Sequence, residues 1–137
     1  MYPEEVCKPM REELTSVGFK ELKTTQDVDR ALQKKEGTLL VLVNSVCGCA
    51  AGSCRPGVLL SLDNSKKPDV LTTVFAGQDK EATAKARAYM QPYPPSSPSI
   101  ALFKDGKLVH FIERHEIEGN LKHVISENLI NAYNQYC

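Results

Sequence analysis

The sequence predicts an α/β fold with a central mixed β-sheet flanked by helices on both faces. Three observations carry that expectation. Residues 38–43 read as an apolar strand and residues 70–75 as a second buried one, and uninterrupted apolar strands belong to a sheet covered on both sides. Segments of helical period separate these runs. Lys104-Asp105-Gly106-Lys107 divides two further strand-like runs, and Asp-Gly accepts the positive φ of a tight hairpin turn.

In chain order, Met10, Leu14 and Val17 recur at helical spacing, with Pro9 suited to a first helical position and Gly18 to a stop. Residues 19–22 read as a short strand. Thr24 or Thr25 caps a helix carrying Val28, Ala31 and Leu32, which Gly37 ends. After the strand at 38–43, Val58, Leu59 and Leu62 fit a helix beginning just past Cys47. The strand at 70–75 leads to an Ala-rich helix over residues 80–90, bracketed by Gly77 and Pro92. Residues 99–103 and 108–112 make the hairpin. A last helix from about Gly119 places Leu121, Val124, Ile125, Leu129 and Ile130 on its apolar face. Alternation of strand and helix implies parallel strands with right-handed crossovers, and the hairpin adds antiparallel strands at one side. The length suits one domain spanning residues 1–137.

Composition narrows the function. Seventeen basic and seventeen acidic residues cancel, and no long basic block points to nucleic acid or an anionic membrane. The longest apolar run, Leu39 to Val43, is too short to span a bilayer. The acidic start Met1-Tyr2-Pro3-Glu4-Glu5 lacks the basic stretch and apolar core of a signal peptide. The expected compartment is the cytoplasm, where clustered cysteines more often mean catalysis or metal than structural disulfides. Five cysteines, three of them between Cys47 and Cys54, make that the central question.

The candidate site directly follows the strand at 38–43 and opens a helix, the corner of an α/β sheet where reactive groups sit. A helix N-terminus presents free backbone N–H groups and partial positive charge, both of which favour thiolate, the nucleophilic form of cysteine. Cys47 and Cys49 are separated only by Gly48, whose dihedral freedom permits the tight ring of a disulfide between them. We assign attack on a substrate disulfide to Cys47 and resolution to Cys49. Cys54, seven residues beyond Cys47, falls two helical turns on and on the same face. It is either an alternative resolving thiol or a packed one. Cys7 and Cys137 carry no expected redox role.

Metal is the rival reading, with Cys47, Cys49 and Cys54 as sulfur ligands and Cys7, His110, His115 or His123 as a fourth. Only one close cysteine pair exists, whereas structural zinc and iron–sulfur sites use more, so no metal ligand is assigned. The glycines near the cysteines lack a following Gly-Lys-Ser or Gly-Lys-Thr, which removes phosphate binding. Pro98 leads straight into a core strand, where a cis peptide would expose the preceding Ser97 backbone to a substrate peptide in strand-like contact; a trans loop is the ordinary alternative.

Three segments together resemble the bacilliredoxins, thioredoxin-like bacterial proteins with a Cys-Gly-Cys motif. They are Val43-Asn44-Ser45-Val46-Cys47-Gly48-Cys49-Ala50, Ser96-Ser97-Pro98-Ser99 and Glu113-Arg114-His115-Glu116-Ile117-Glu118-Gly119, and the resemblance covers essentially the whole chain. It implies a thioredoxin-like fold, with Pro98 as a cis-proline facing the cysteines and Gly48, Ser97 and Pro98 around the substrate. It implies removal of bacillithiol from mixed disulfides on protein cysteines, Cys47 taking the adduct, and Cys49 or free bacillithiol releasing it. Disulfide isomerase or reductase activity is a further implication. On this reading no cofactor is bound, bacillithiol is the thiol co-substrate, and the partners are proteins carrying mixed disulfides. Cys54 departs from the family pattern and leaves an alternative internal disulfide open. For His115 two roles stand: tuning a thiol, or a local contact at a turn and helix start.

Overall fold

The computed structural model describes all residues, 1–137. The chain runs α1 (Glu4–Thr15), β1 (Lys20–Glu21), α2 (Thr25–Leu32) and β2 (Thr38–Asn44). A π-helical turn (Ala50–Cys54) then enters α3 (Arg55–Ser61). β3 (Val70–Phe75), α4 (Lys80–Ala88), β4 (Ser99–Lys104), β5 (Lys107–Ile112), α5 (Arg114–Ile117) and α6 (Lys122–Tyr136) complete it. The strands form one mixed sheet in the order β1-β3-β2-β4-β5. β2 pairs parallel with β3 and antiparallel with β4. The predicted α/β class is therefore the observed one.

Strand β2 shows why residues 39–43 are all apolar: all seven of its residues are buried, with the polar Thr38 and Asn44 only at its two ends. Leu40 and Leu42 point to one core with Leu14, Val58, Ile100, Ile125, Leu129 and Tyr133. Leu39, Val41 and Val43 point to a second with Val28, Leu32, Val74, Ala82, Ala86 and Met90. Alternate side chains of a strand face opposite ways, so the middle of a strand covered on both faces favours an apolar residue at successive positions. α3 and α6 pack so closely that a Cβ at Gly57 would stand 2.8 Å from Ile125 Cβ. In the hairpin, Asp105 and Gly106 have φ of 51° and 82°, as the Asp-Gly turn predicts. The Thr24 hydroxyl accepts from the Asp27 N–H at 3.0 Å, making it the cap of α2.

Four expectations are corrected. α1 begins at Glu4, with Pro9 inside it, because Glu4 and Glu5 occupy the first turn, where acidic side chains complement the helix dipole. Val17 lies beyond α1 and is exposed. α2 ends at Leu32 with Gln33 as its cap, so Gly37, φ 85°, belongs to the following loop. The final helical region is two helices. Gly119, φ 83°, lies between them, and the buried face of α6 is Ile125, Ser126, Leu129, Ala132 and Tyr133, while Leu121 and Val124 are exposed. No helix is long and apolar enough to cross a membrane.

Candidate active site

The chain leaves β2 at Asn44, and a buried network fixes its exit. Asn44 Nδ2 donates to the Met10 carbonyl at 3.2 Å, and its Oδ1 accepts from the Ser45 N–H at 2.9 Å. Arg55, 1% exposed, donates through Nη1 to Asn44 Oδ1 at 2.8 Å and to the Ser45 carbonyl at 3.0 Å. Its Nε forms an ion pair with Glu13 at 3.2 Å, in a geometry that makes no hydrogen bond. A guanidinium at the base of the loop thus ties the last residue of β2 to the first residue of the site.

Helical structure resumes just past Cys47, as expected, but with an unforeseen π turn. The Arg55 N–H reaches back five residues to the Ala50 carbonyl, and Pro56 follows in the first turn of α3, where its missing N–H costs nothing. The extra residue in that turn overturns the expected shared face of Cys47 and Cys54. Cys54 is wholly buried in the α3–α6 core, where desolvation holds its thiol far above the usual range. It is a packed thiol, unsuited to resolving a disulfide.

Cys47 and Cys49 are half-buried free thiols with sulfurs 2.7 Å apart. Their acidities diverge. Burial raises the Cys47 pKa, but hydrogen bonds from Cys49 and Ser45, a backbone N–H from Ala50 and the charge of Arg114 outweigh it and bring the net shift down. Burial raises Cys49, and holding its proton toward the Cys47 sulfur raises it further. The two acidities are thus displaced in opposite directions, and Cys47 is the more acidic thiol of the pair. Gly48 is exposed, has no positive φ, and a Cβ there would meet nothing within 4 Å. In the dithiol form its freedom is unused.

The Ser97–Pro98 peptide is cis, as is Gln91–Pro92, which no sequence signal singles out. Pro98 is buried, and Ser97 lines a groove of about 600 Å³ with Cys47, Ser45, Arg87 and Arg114. Arg114 joins the parts. Its N–H donates to Ser96 Oγ at 3.4 Å, its Nη1 to the Ser97 carbonyl at 3.0 Å, and its Nη2 to Glu118 at 2.8 Å. The segment 113–119 stands out in the sequence, but nothing there gives Arg114 a role. The hairpin register carries the missing signal, because extending the pair Ile100↔Ile112 sets residue 114 across from Pro98.

His115 is not brought to the cysteines. It is exposed, and Nε2 lies 3.0 Å from Glu113 Oε2. Glu113 and Glu116 make the reciprocal capping box of α5, so this stretch is a helix start. The compact set of metal-type donors in the fold is Glu113, His115 and Glu116. Cys54 faces the core, and the three sulfurs form no such set with a histidine.

Comparison with known proteins gives the same picture. The family model described as "Disulphide isomerase" matches residues 2–137. A bacilliredoxin of Halalkalibacterium halodurans is 57% identical over 136 residues, covering 99% of this chain and 94% of that one. Another, of Cytophaga hutchinsonii, is 57% identical over 135 residues, covering 98% and 99%. Among solved structures, thioredoxin O2 of Arabidopsis thaliana in its oxidized state matches with TM-score 0.58 at 20% identity, over 85% of this chain and 95% of that one. A mutant thioredoxin of Halobacterium salinarum matches with TM-score 0.58 at 17% identity, over 87% and 90%. These structures establish a thioredoxin-like fold, and the sequence matches establish the kinship: the chain belongs to the bacilliredoxin family of thiol–disulfide oxidoreductases.

Proposed function

We propose that this protein removes bacillithiol from mixed disulfides on cytoplasmic proteins, with Cys47 as nucleophile and Cys49 as resolving thiol. The observation that supports the ordering is the opposite displacement of two acidities across a 2.7 Å gap: Cys47 down, Cys49 up. The Cys47 thiolate attacks the adduct sulfur, forming Cys47–S–S–R and releasing the target protein's thiolate. Cys49 gives its proton to the departing target thiolate, attacks the Cys47 sulfur, closes the intramolecular disulfide and releases R–S⁻. Two molecules of a low-molecular-weight thiol reopen the pair by successive exchange, leaving as their own disulfide and returning two electrons and two protons to Cys47 and Cys49. Ser97 and Pro98 present the backbone against which a substrate strand lies, and exposed Gly48 leaves both sulfurs accessible.

The test is single-turnover release of bacillithiol from a mixed-disulfide protein. Cys47→Ser is expected to abolish release. Cys49→Ser is expected to accumulate the Cys47 adduct, visible by intact mass, unless free bacillithiol is added to resolve it. Full activity in Cys47→Ser would overturn the ordering. The printed description of the matching family model supports disulfide isomerisation as a second reading. Recovery of a scrambled disulfide protein, with no removal of bacillithiol, would favour it.

A further inference from the structure

The groove beside Cys47 holds charge that the protein itself leaves unanswered. Arg87, from α4, lines it together with Arg114, and no Asp or Glu does. Arg114 is already matched by Glu118 at 2.8 Å. Arg87 takes part in none of the ion pairs of the fold. Its Nη2 makes one long hydrogen bond to the Ser96 carbonyl at 3.4 Å, and its buried Nε has no partner. A half-buried guanidinium without a counter-charge is costly, and desolvation accordingly holds its pKa below the ordinary arginine value. The volume of about 600 Å³ is that of a small-molecule site. Val6 and Met10 of α1 provide an apolar wall to it.

We propose that this groove seats the low-molecular-weight thiol carried on Cys47, and that Arg87 selects a thiol bearing a carboxylate. The inference rests on the thiol-transfer reading above and deepens it. When Cys47 attacks the adduct sulfur, the Cys47–S–S–R bond forms and the target protein's thiolate leaves, so R is anchored at a sulfur that itself lines the groove. A carboxylate on R then completes the hydrogen bonding of Arg87, whose planar fork suits that group. The two arginines divide the work. Arg114 acts on the sulfur, since its charge favours the Cys47 thiolate, whereas Arg87 reaches only the Ser96 carbonyl, through one long bond. Arg87 is therefore a specificity residue, and its removal should leave the nucleophile intact.

The test uses the reduced full-length protein and one neutral peptide whose single cysteine is disulfide-linked either to 3-mercaptopropionate or to uncharged 2-mercaptoethanol. The readout is the single-turnover rate of peptide-thiol release. Arg87→Gln is expected to slow release from the carboxylate adduct about tenfold, the usual scale of one lost charge-assisted hydrogen bond. Release from the mercaptoethanol adduct should stay within about twofold of wild type, and Arg87→Lys should recover part of the loss by restoring charge without the fork. Equal slowing of both adducts, or no slowing of either, would overturn the assignment. A third substrate, an acidic peptide carrying mercaptoethanol, separates the sources of the carboxylate. Dependence on Arg87 there alone would place the anion on the protein substrate and refute the small-thiol assignment. Failure of the wild type on both adducts would instead strike the thiol-transfer reading itself.

Discussion

Replacing Arg55 with methionine tests whether the buried guanidinium holds the active-site loop. Methionine keeps an unbranched apolar stem in the α3 position and removes only the charged fork. Two hydrogen bonds disappear, to Asn44 Oδ1 at 2.8 Å and to the Ser45 carbonyl at 3.0 Å. Bonds from a charged donor contribute about 1.5–3 kcal/mol each, giving a gross loss of about 3–6 kcal/mol. Part is returned, because the variant no longer desolvates a guanidinium, and an apolar replacement of a buried ion is less costly than an orphaned partner. The Glu13 partner is 41% exposed and rehydrates readily. Asn44 Oδ1 keeps the Ser45 N–H, but the carbonyl of buried Ser45 loses its donor. The net expectation is a loss of about 2–4 kcal/mol, or a fall in Tm of about 8–15 °C for a chain of this size. Urea unfolding of the reduced protein, followed by far-UV circular dichroism, measures it with an unchanged m-value. In the same variant the pH midpoint of Cys47 alkylation should rise, because Ser45 helps to lower that pKa. A stability loss below about 1 kcal/mol with an unmoved midpoint would show that Arg55 does not organise the loop.

Three further outcomes are expected. In iodoacetamide pH–rate profiles, Arg114→Gln should shift the Cys47 midpoint upward: Arg114 stabilises the thiolate, so its loss slows alkylation near neutrality and leaves the alkaline plateau unchanged. An unmoved midpoint would detach Arg114 from the nucleophile. Cys54 should resist alkylation in the native protein and react only on unfolding, since it is wholly buried with a raised pKa; mass-resolved labelling decides this, and native labelling at the rate of Cys49 would contradict the packing. Gly48→Ala should leave the melting of the dithiol form within about 0.5 kcal/mol of wild type, because the added Cβ meets nothing and φ is not positive. The same substitution should slow closure of the Cys47–Cys49 disulfide by narrowing the dihedral range of the linking residue, and rapid closure would refute that need for glycine.

The sequence displays the sheet more plainly than the site. Strand β2 is legible because both of its faces are buried, so no polar residue interrupts residues 39–43. The hairpin is legible because Asp105 and Gly106 must both adopt positive φ. Helix ends are harder to read where a local preference meets a stronger neighbour. Pro9 suits a helix start, but Glu4 and Glu5 carry α1 a turn further back. Leu121 and Val124 match a helical stripe, but α6 packs on α3 through Ile125 and Leu129, and tertiary contact decides which apolar residues are buried. Cys47 and Cys49 stand out by spacing. Arg114 and Arg87 do not, because each reaches the groove by folding: one through the hairpin register shifted by the irregularity at Leu102/Phe103, the other from a helix across the sheet. The π turn shows in the Arg55 N–H bonding back to the Ala50 carbonyl, which a count of α-helical turns from Cys47 to Cys54 does not see.

The same register explains why the Ser97–Pro98 bend and the cysteines lie together. β2 delivers the cysteines at its C-terminal end, while β4, antiparallel to it, begins at Ser99, so the Ser97–Pro98 bend lies at the same edge of the sheet. β5 returns to that edge and passes at once into α5, whose first residue is Arg114. A single side chain can therefore donate to the Ser97 carbonyl while its charge favours the Cys47 thiolate. Displacing the Ser96–Pro98 bend would move Arg114 and with it the acidity of Cys47. On the proposed reading, in which a substrate strand lies along that bend, a bound peptide is expected to shift the Cys47 midpoint in wild type and leave it unmoved in Arg114→Gln, and an equal shift in both proteins would refute the coupling through Arg114.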